Sequence, residues 1–340
     1  MSLKMPSMKT QNASDLIHLD TYISTNHLVV SKAKQDKTYI GRAYAMSPLL
    51  GGGSEFAEVV LNLFKSVPDD SLIQFNLICE PDHDAADNFA RGKIHGSAMV
   101  RKLIDQQCDL LRKAMEVGWQ PDVPLLNRRT LLMSLAIPVS QLNAENIEES
   151  SALQEDFLSS IKNCGFYDAR PLPVSDLLGY YAKFVDVFKP LKSVALDELI
   201  ELKHQVFGPD QTINFTDPKI GVFNGDVHCA VVAVKAFPEM GFHGLMNLVT
   251  GAPFNKGPTK EGGGQRILTP FIYNTTIRVG QQRKEMQRVE YAIKSRSKVQ
   301  NLPFKLGNED PVATLIDLQY METQCAKDGE KFVYVSSTAF

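Results

Sequence analysis

Short runs of apolar and β-favouring residues open the chain, at about 16–23, 27–33 and 37–47, and they predict strands. Thr38-Tyr39-Ile40-Gly41-Arg42-Ala43-Tyr44-Ala45-Met46 is the densest of them, closed by Pro48 and Gly51-Gly52-Gly53. The period then changes. Phe56, Val59, Val60, Leu63 and Phe64 recur at helical spacing behind Ser54, which stands where an N-cap belongs. Residues 71–79 alternate as a half-buried strand does, 85–118 read as one long helix stopped by Gly118 and Pro121, and 129–139 as another strand. Helical segments near 146–163, 174–188 and 194–206 follow, punctuated by Gly165, Pro171, Pro173 and Pro190.

The second half opens on a hairpin signal. Asn224-Gly225 separates the apolar runs 220–223 and 226–237, and both turn residues tolerate positive φ. A short helix at 240–249, a Gly/Lys-rich loop at 251–265, a strand at 267–279, helices at 281–299 and 310–327 and a last strand at 331–340 complete the pattern. The two halves share an order of strand, strand, short helix, strand, helical segment, strand, with Pro48 and Pro238 each after the second strand. The expected fold is α+β, with mixed, largely antiparallel sheets flanked by helices and two ββαβαβ lobes related by duplication. The expected divisions are a flexible leader at 1–13, a first lobe at 14–145, a helical connector at 146–212 and a second lobe at 213–340.

Composition narrows the function classes. The 340 residues are 44% hydrophobic and 22% charged, with a net charge of −3, so no global field draws the molecule to nucleic acid or an anionic surface. Five cysteines without CxxC spacing read as reduced, buried thiols of a cytoplasmic protein. No apolar run approaches the roughly 20 residues of a membrane helix, and the polar start lacks the apolar core of a signal peptide.

Several segments carry partial chemical signatures. Gly51-Gly52-Gly53-Ser54 resembles a phosphate cradle, but Glu55 and Glu58 in the first turn would repel phosphate. Gly251 to Pro258 has the order Lys256-Gly257-Pro258, not the Gly-Lys-Ser/Thr of a nucleotide loop. Asp82, His83, Asp84, Asp87 and His95 read as a solvated helix cap before a metal site. His228 and Cys229 point to opposite faces of a strand, so they cannot share a ligand. No Gly-x-Ser-x-Gly is present. The expectation is a chain with no catalytic residue, cofactor or metal.

One stretch departs from the average. Arg278, Arg283, Lys284, Arg288, Lys294, Arg296, Lys298 and Lys305 face only Glu285 and Glu290. Met286, Val289 and Ile293 give the same helix an apolar stripe. A solvated helix face is the plain reading of such a run. The sharper one is a contact surface for anionic lipid headgroups or an acidic partner. Aromatic residues scarcely interleave with these charges, which disfavours nucleic acid.

Ala43-Tyr44-Ala45-Met46-Ser47-Pro48-Leu49-Leu50-Gly51, a helix, and Val67-Pro68-Asp69-Asp70-Ser71-Leu72-Ile73-Gln74-Phe75 together resemble the N-terminal part of the TraC proteins. These are F-type relatives of the large ATPase of type IV secretion. Val234-Lys235-Ala236-Phe237-Pro238, Val249-Thr250-Gly251 and Thr269-Pro270-Phe271 match that pattern in order, from about 38 to 340. The motor half, with its nucleotide-binding motifs, has no positions here. The resemblance implies a non-catalytic assembly module of a conjugative pilus-assembly ATPase, cytoplasmic and peripheral to the bacterial inner membrane. Its partners would be other secretion components, the motor domain of its parent and the membrane surface. A stand-alone enzyme of unrecognised type is the alternative.

Overall fold

A computed structural model describes residues 11–32, 37–48, 63–91, 93, 97–118, 126–184, 186–187, 191–207, 211–214, 220–223, 227–234, 269–299, 311–327 and 330–339. The fold is α+β, and every strand pairing in it is antiparallel.

The first half contributes β1 (Gln11–Asn12), β2 (Leu19–Ile23), β3 (Leu28–Lys32), β4 (Thr38–Met46), β5 (Leu72–Pro81) and β6 (Asn127–Val139). Helices α1 (Ala85–Arg91) and α2 (Ala98–Glu116) lie between β5 and β6. The single helix expected over 85–118 is therefore two. Ser97 caps the second, its hydroxyl accepting from the Val100 N–H at 3.5 Å. Gly92 and Gly96 in the interval weaken a continuous helix.

Next come α3 (Ala144–Asn163), the bridge β7 (Arg170–Pro171), α4 (Val174–Lys183) and α5 (Leu202–Val206). The helix expected from 194 begins only at Leu202. Asp197 accepts from the Leu199 N–H at 2.8 Å, and Gln205 holds the Asp197 backbone at both its N–H and its carbonyl. Those local bonds satisfy the backbone without a helix. The second half supplies β8 (Thr212–Asn214), β9 (Gly221–Phe223), β10 (Val227–Cys229), β11 (Val232–Ala233), β12 (Phe271–Val279), α6 (Gln282–Val299), α7 (Pro311–Lys327) and β13 (Val333–Ala339). Of the segment expected to lead the chain, Gln11–Asn12 pairs with β8 and Ala13 is buried. The strands expected on either side of Asn224-Gly225 pair with each other, with Phe223 opposite Val227, and the turn itself lies outside the described residues.

The expected strand 226–237 is divided. Its start, β10, pairs with β9, and its continuation, β11, pairs with β13 in the larger sheet. The larger sheet runs β11-β13-β12-β5-β6-β4-β3-β2. Around the central pair β5 and β12 the two halves repeat. From β5 outward the order is β6, β4, β3, β2; from β12 outward it is β13, then β11 and β10, then β9 and β8. The register repeats too. Ala43 sits beside Ser134, which sits beside Gln74; Ala233 sits beside Thr338, which sits beside Asn274. Pro48 and Pro238 stand at the same distance after Ala43 and Ala233. An approximate two-fold axis thus passes through the facing pair Phe75 and Thr275. Strands of both halves meet in one sheet, with β5 and β12 as its seam, while β8, β9 and β10 belong to the smaller sheet.

Helix α3 covers one face of the first half. Phe157, Leu158 and Ile161 bury against Tyr44, Met133, Leu135 and Ile137. Tyr44 and Phe157 rings lie 6.0 Å apart, and the Tyr44 hydroxyl donates to Gln154 Oε1 at 2.7 Å. On the opposite face, Tyr180 of α4 joins Ala43, Ala45, Ile78, Leu132 and Ile272. Gly179 is required there, because a β-carbon would collide with the Lys192 carbonyl of the crossing segment. A third cluster, with Ala13, Leu178, Leu202, Phe207 and Phe223, seals the smaller sheet β1-β8-β9-β10 against α4 and α5.

Candidate interaction surface

Helix α6 starts directly after β12, so the chain reversal at Gly280 fixes where its faces point. Val289 is buried and Met286 and Ile293 are half-buried, which turns the stripe read from sequence inward. Arg283, Lys284, Arg288 and Lys294 are exposed. Arg283, Lys284 and Lys294 form no salt bridge with a described residue. The Arg296 and Lys298 side chains and Lys305 lie outside the described residues.

Two of the expected cations have other duties. Arg288 binds both oxygens of Glu285 at 2.9 Å and reaches the Tyr334 hydroxyl at 3.4 Å. The Tyr334 hydroxyl and the Arg288 guanidinium hold the Glu285 carboxyl below its ordinary range. Arg278 lies on β12, with its guanidinium carbon 4.8 Å from the centre of the Tyr334 ring, a cation–π contact. The strip therefore divides into an anchored part around Tyr334 and a free part on α6.

Sequence reading missed Tyr291. It is 76% exposed, and its spacing from Lys284, Arg288 and Lys294 places it on their face. Spacing alone could have found it, because it falls seven and three residues after two of the cations and three before the third.

Other charged groups cluster at the far side of the sheet. Glu80 and Lys183 are both buried and paired, and Arg128 donates to Glu80 at 2.8 Å and to Asp84 at 3.0 Å. The network ties α4 to β5 and β6. Asp87 lies 4.0 Å from Arg112. Among the described residues, no three His, Cys, Asp or Glu side chains converge as metal ligands would. Both glycine-rich loops, at 51–53 and 251–265, lie outside the described residues.

A cavity of about 1000 Å³ opens between the larger sheet and the smaller one. Gln74, Asn76, Ser134 and Asn274 form its polar floor, and Tyr181 and Phe223 stand in its walls. Glu80 and Lys183 do not line it. No helix among the described residues is long and apolar enough to cross a membrane.

These features define an antiparallel α+β protein of duplicated strand order with one exposed basic helix. Residues 35–338 match the family model described as TraC protein, and the chain belongs to that family. A search of curated proteins returns no match. Family membership gives the chain a role in conjugative transfer, within type IV secretion.

Proposed function

We propose that this chain is a non-catalytic assembly module of the conjugative machinery, which contacts other secretion components and the cytoplasmic surface of the inner membrane. The observation that carries the reading is the free part of the basic strip: Arg283, Lys284 and Lys294, exposed on α6 around Tyr291. Each Lys or Arg near an anionic surface contributes on the order of 1 kcal/mol. Tyrosine favours the headgroup level, where its ring and its hydroxyl meet different surroundings. The inward stripe is already used by packing, so the attraction is electrostatic and does not require insertion.

Co-sedimentation with vesicles containing phosphatidylserine tests this. Wild type should bind at low salt, release as salt rises, and ignore neutral phosphatidylcholine vesicles. Arg283→Glu, Lys284→Glu and Lys294→Glu combined should abolish binding, and Tyr291→Ala should weaken it. Equal binding by the triple variant removes the membrane contact. Calorimetry with ATP and Mg²⁺ tests the non-catalytic part of the reading, and micromolar affinity would refute it.

A further inference from the structure

The cavity between the two sheets follows from the sequence of β4 and β6. Side chains alternate between the faces of a strand. Beneath α3 these two strands carry Tyr44, Met133, Leu135 and Ile137, and Phe157 and Ile161 pack against them. On the other face they carry Gly41, Ala43, Ser134 and Ala136. Those four are short, and a space of about 1000 Å³ remains between this face, the smaller sheet and α4. Ser134 and Ala136 are only half-buried, although β6 lies between β4 and β5 in the larger sheet. Every residue that lines the space is a described one.

The walls are apolar and largely aromatic, with Leu177, Tyr181, Phe184, Phe207, Ile213 and Phe223. Across the floor runs a relay of side-chain hydrogen bonds. Gln74 Nε2 donates to Thr276 Oγ1 at 3.3 Å, Thr276 Oγ1 to Asn274 Oδ1 at 2.9 Å, and Asn274 Nδ2 to Asn76 Oδ1 at 2.6 Å. The relay stops there. Asn76 and Ser134 both line the space, and Ser134 sits beside Gln74. The Asn76 amide nitrogen and the Ser134 hydroxyl have no hydrogen-bond partner among the described residues. Asn76 is only 8% exposed, so leaving its N–H groups unpaired costs free energy. No charged side chain stands on this floor. Of the two basic residues at its boundary, Arg42 turns to Glu155 of α3 on the other face, and His18 is exposed.

Apolar walls around a few convergent polar groups, in a space of this size, are what a small-molecule site requires. We infer that this cavity binds an uncharged, largely apolar small molecule, whose carbonyl or hydroxyl oxygen accepts from Asn76 and Ser134. A carboxylate is disfavoured, because burying it without a cation is costly.

Prodan, an uncharged naphthalene with one ketone, tests this directly, since its emission moves to the blue in apolar surroundings. Fluorescence titration should show saturable binding of one probe per chain. Its analogue with a carboxylate in place of the ketone should bind on the order of tenfold more weakly, or not at all. Ala136→Phe fills the space from the floor and should abolish binding. Leu177→Trp fills it from α4 and repeats the measurement should Ala136→Phe lose its circular dichroism signature. Asn76→Leu with Ser134→Ala keeps the space and removes both donors. Its affinity should fall on the order of tenfold, and the bound probe should emit further to the blue because its ketone has lost its donors. Arg283→Glu, Lys284→Glu and Lys294→Glu combined should bind prodan as wild type does, which separates this site from the membrane contact on α6. The inference is overturned by any of five results: no saturable binding, binding that survives the filled cavity, equal binding of the carboxylate, unchanged affinity without the two donors, or loss of binding in the α6 variant.

Discussion

The two halves have one strand order and two kinds of surface. In the first, β4, β5 and β6 carry α3 on one face and α4 on the other, and two of the three apolar clusters centre there. In the second, β12 is buried at its ends through Phe271, Ile272 and Val279, while β13 exposes Val333, Tyr334 and Val335. The cysteines follow the same division: Cys79, Cys108 and Cys164 are buried, whereas Cys229 and Cys325 are only partly covered. Among the described residues, shared topology therefore does not bring shared burial. The first half has a helix on each sheet face, and it draws both from the segment between β6 and β8.

The sharpest way to break this comparison is to remove equivalent apolar mass from each half. Phe157→Ala empties a fully buried ring site under α3 and should cost about 4 kcal/mol, close to what large-to-small core substitutions cost elsewhere. Val335→Ala on β13 should stay within about 0.5 kcal/mol. Urea unfolding measures both. Equal losses would mean that the second half has a closed core as well.

The ion pairs sharpen it next. Glu80 and Lys183 sit in the packed half with both side chains almost wholly buried. Lys183→Met leaves the carboxylate facing Arg128 alone and should cost about 3 kcal/mol in the same assay. Arg288→Met cuts an exposed pair with Glu285 and should leave the unfolding midpoint unchanged. A large loss from Arg288→Met would show that Tyr334 and α6 anchor the second half more firmly than their exposure implies.

The seam tests whether the halves fold as one. Asn274 donates to Asn76 at 2.6 Å, and the two-fold counterpart of that rung is Gln74 donating to Thr276 at 3.3 Å. Asn76→Ala should cost about 1–2 kcal/mol, as a lost, partly buried hydrogen bond does. A single unfolding transition should persist in that variant. Two separated transitions would show that β5 and β12 join units that are stable apart.

Much of this was legible in the sequence because it is local. Alternation located β5 and β6, the dipeptide Asn224-Gly225 located the hairpin, and the shared element order pointed to duplication before any pairing was known. The seam was not legible. Phe75 and Thr275 are remote in sequence, and nothing in either strand names its partner. The same holds for Lys183, which reads as an ordinary last-turn cation of α4 until the fold brings Glu80 to it. Of the basic strip, the charges were visible but their division was not, because Tyr334 takes Arg278 and Arg288 only once β13 lies beside β12. The cap at Ser97 and the loss of helix at 194–201 show the limit of periodicity, since side chains that bond their own backbone end helices that the apolar pattern would continue.

The smallest expected effect concerns the thiols. Burial pushes the Cys79 thiol up from its ordinary 9.0 to about 11, against a smaller opposing pull from Arg129. The folded chain therefore favours the neutral thiol more than the unfolded chain does. Its contribution is fully present below pH 9 and is lost as pH rises through 9 toward 11. Between pH 8 and pH 10 this one group should remove on the order of 1 kcal/mol, since one pKa unit corresponds to about 1.4 kcal/mol. Tyr44 is also raised by burial and adds to the fall above pH 10, so the measurement must be a difference. The drop in stability from pH 8 to pH 10 should be smaller for Cys79→Ala than for wild type. The partly covered Cys325, replaced in the same way, should change the drop less. At pH 8, iodoacetamide should modify Cys229 and Cys325 ahead of Cys79, because the thiolate is the reactive form and burial also bars the reagent. If Cys79 is labelled as fast as Cys325, the first half opens as readily as the second, and the contrast in burial between the two halves is lost.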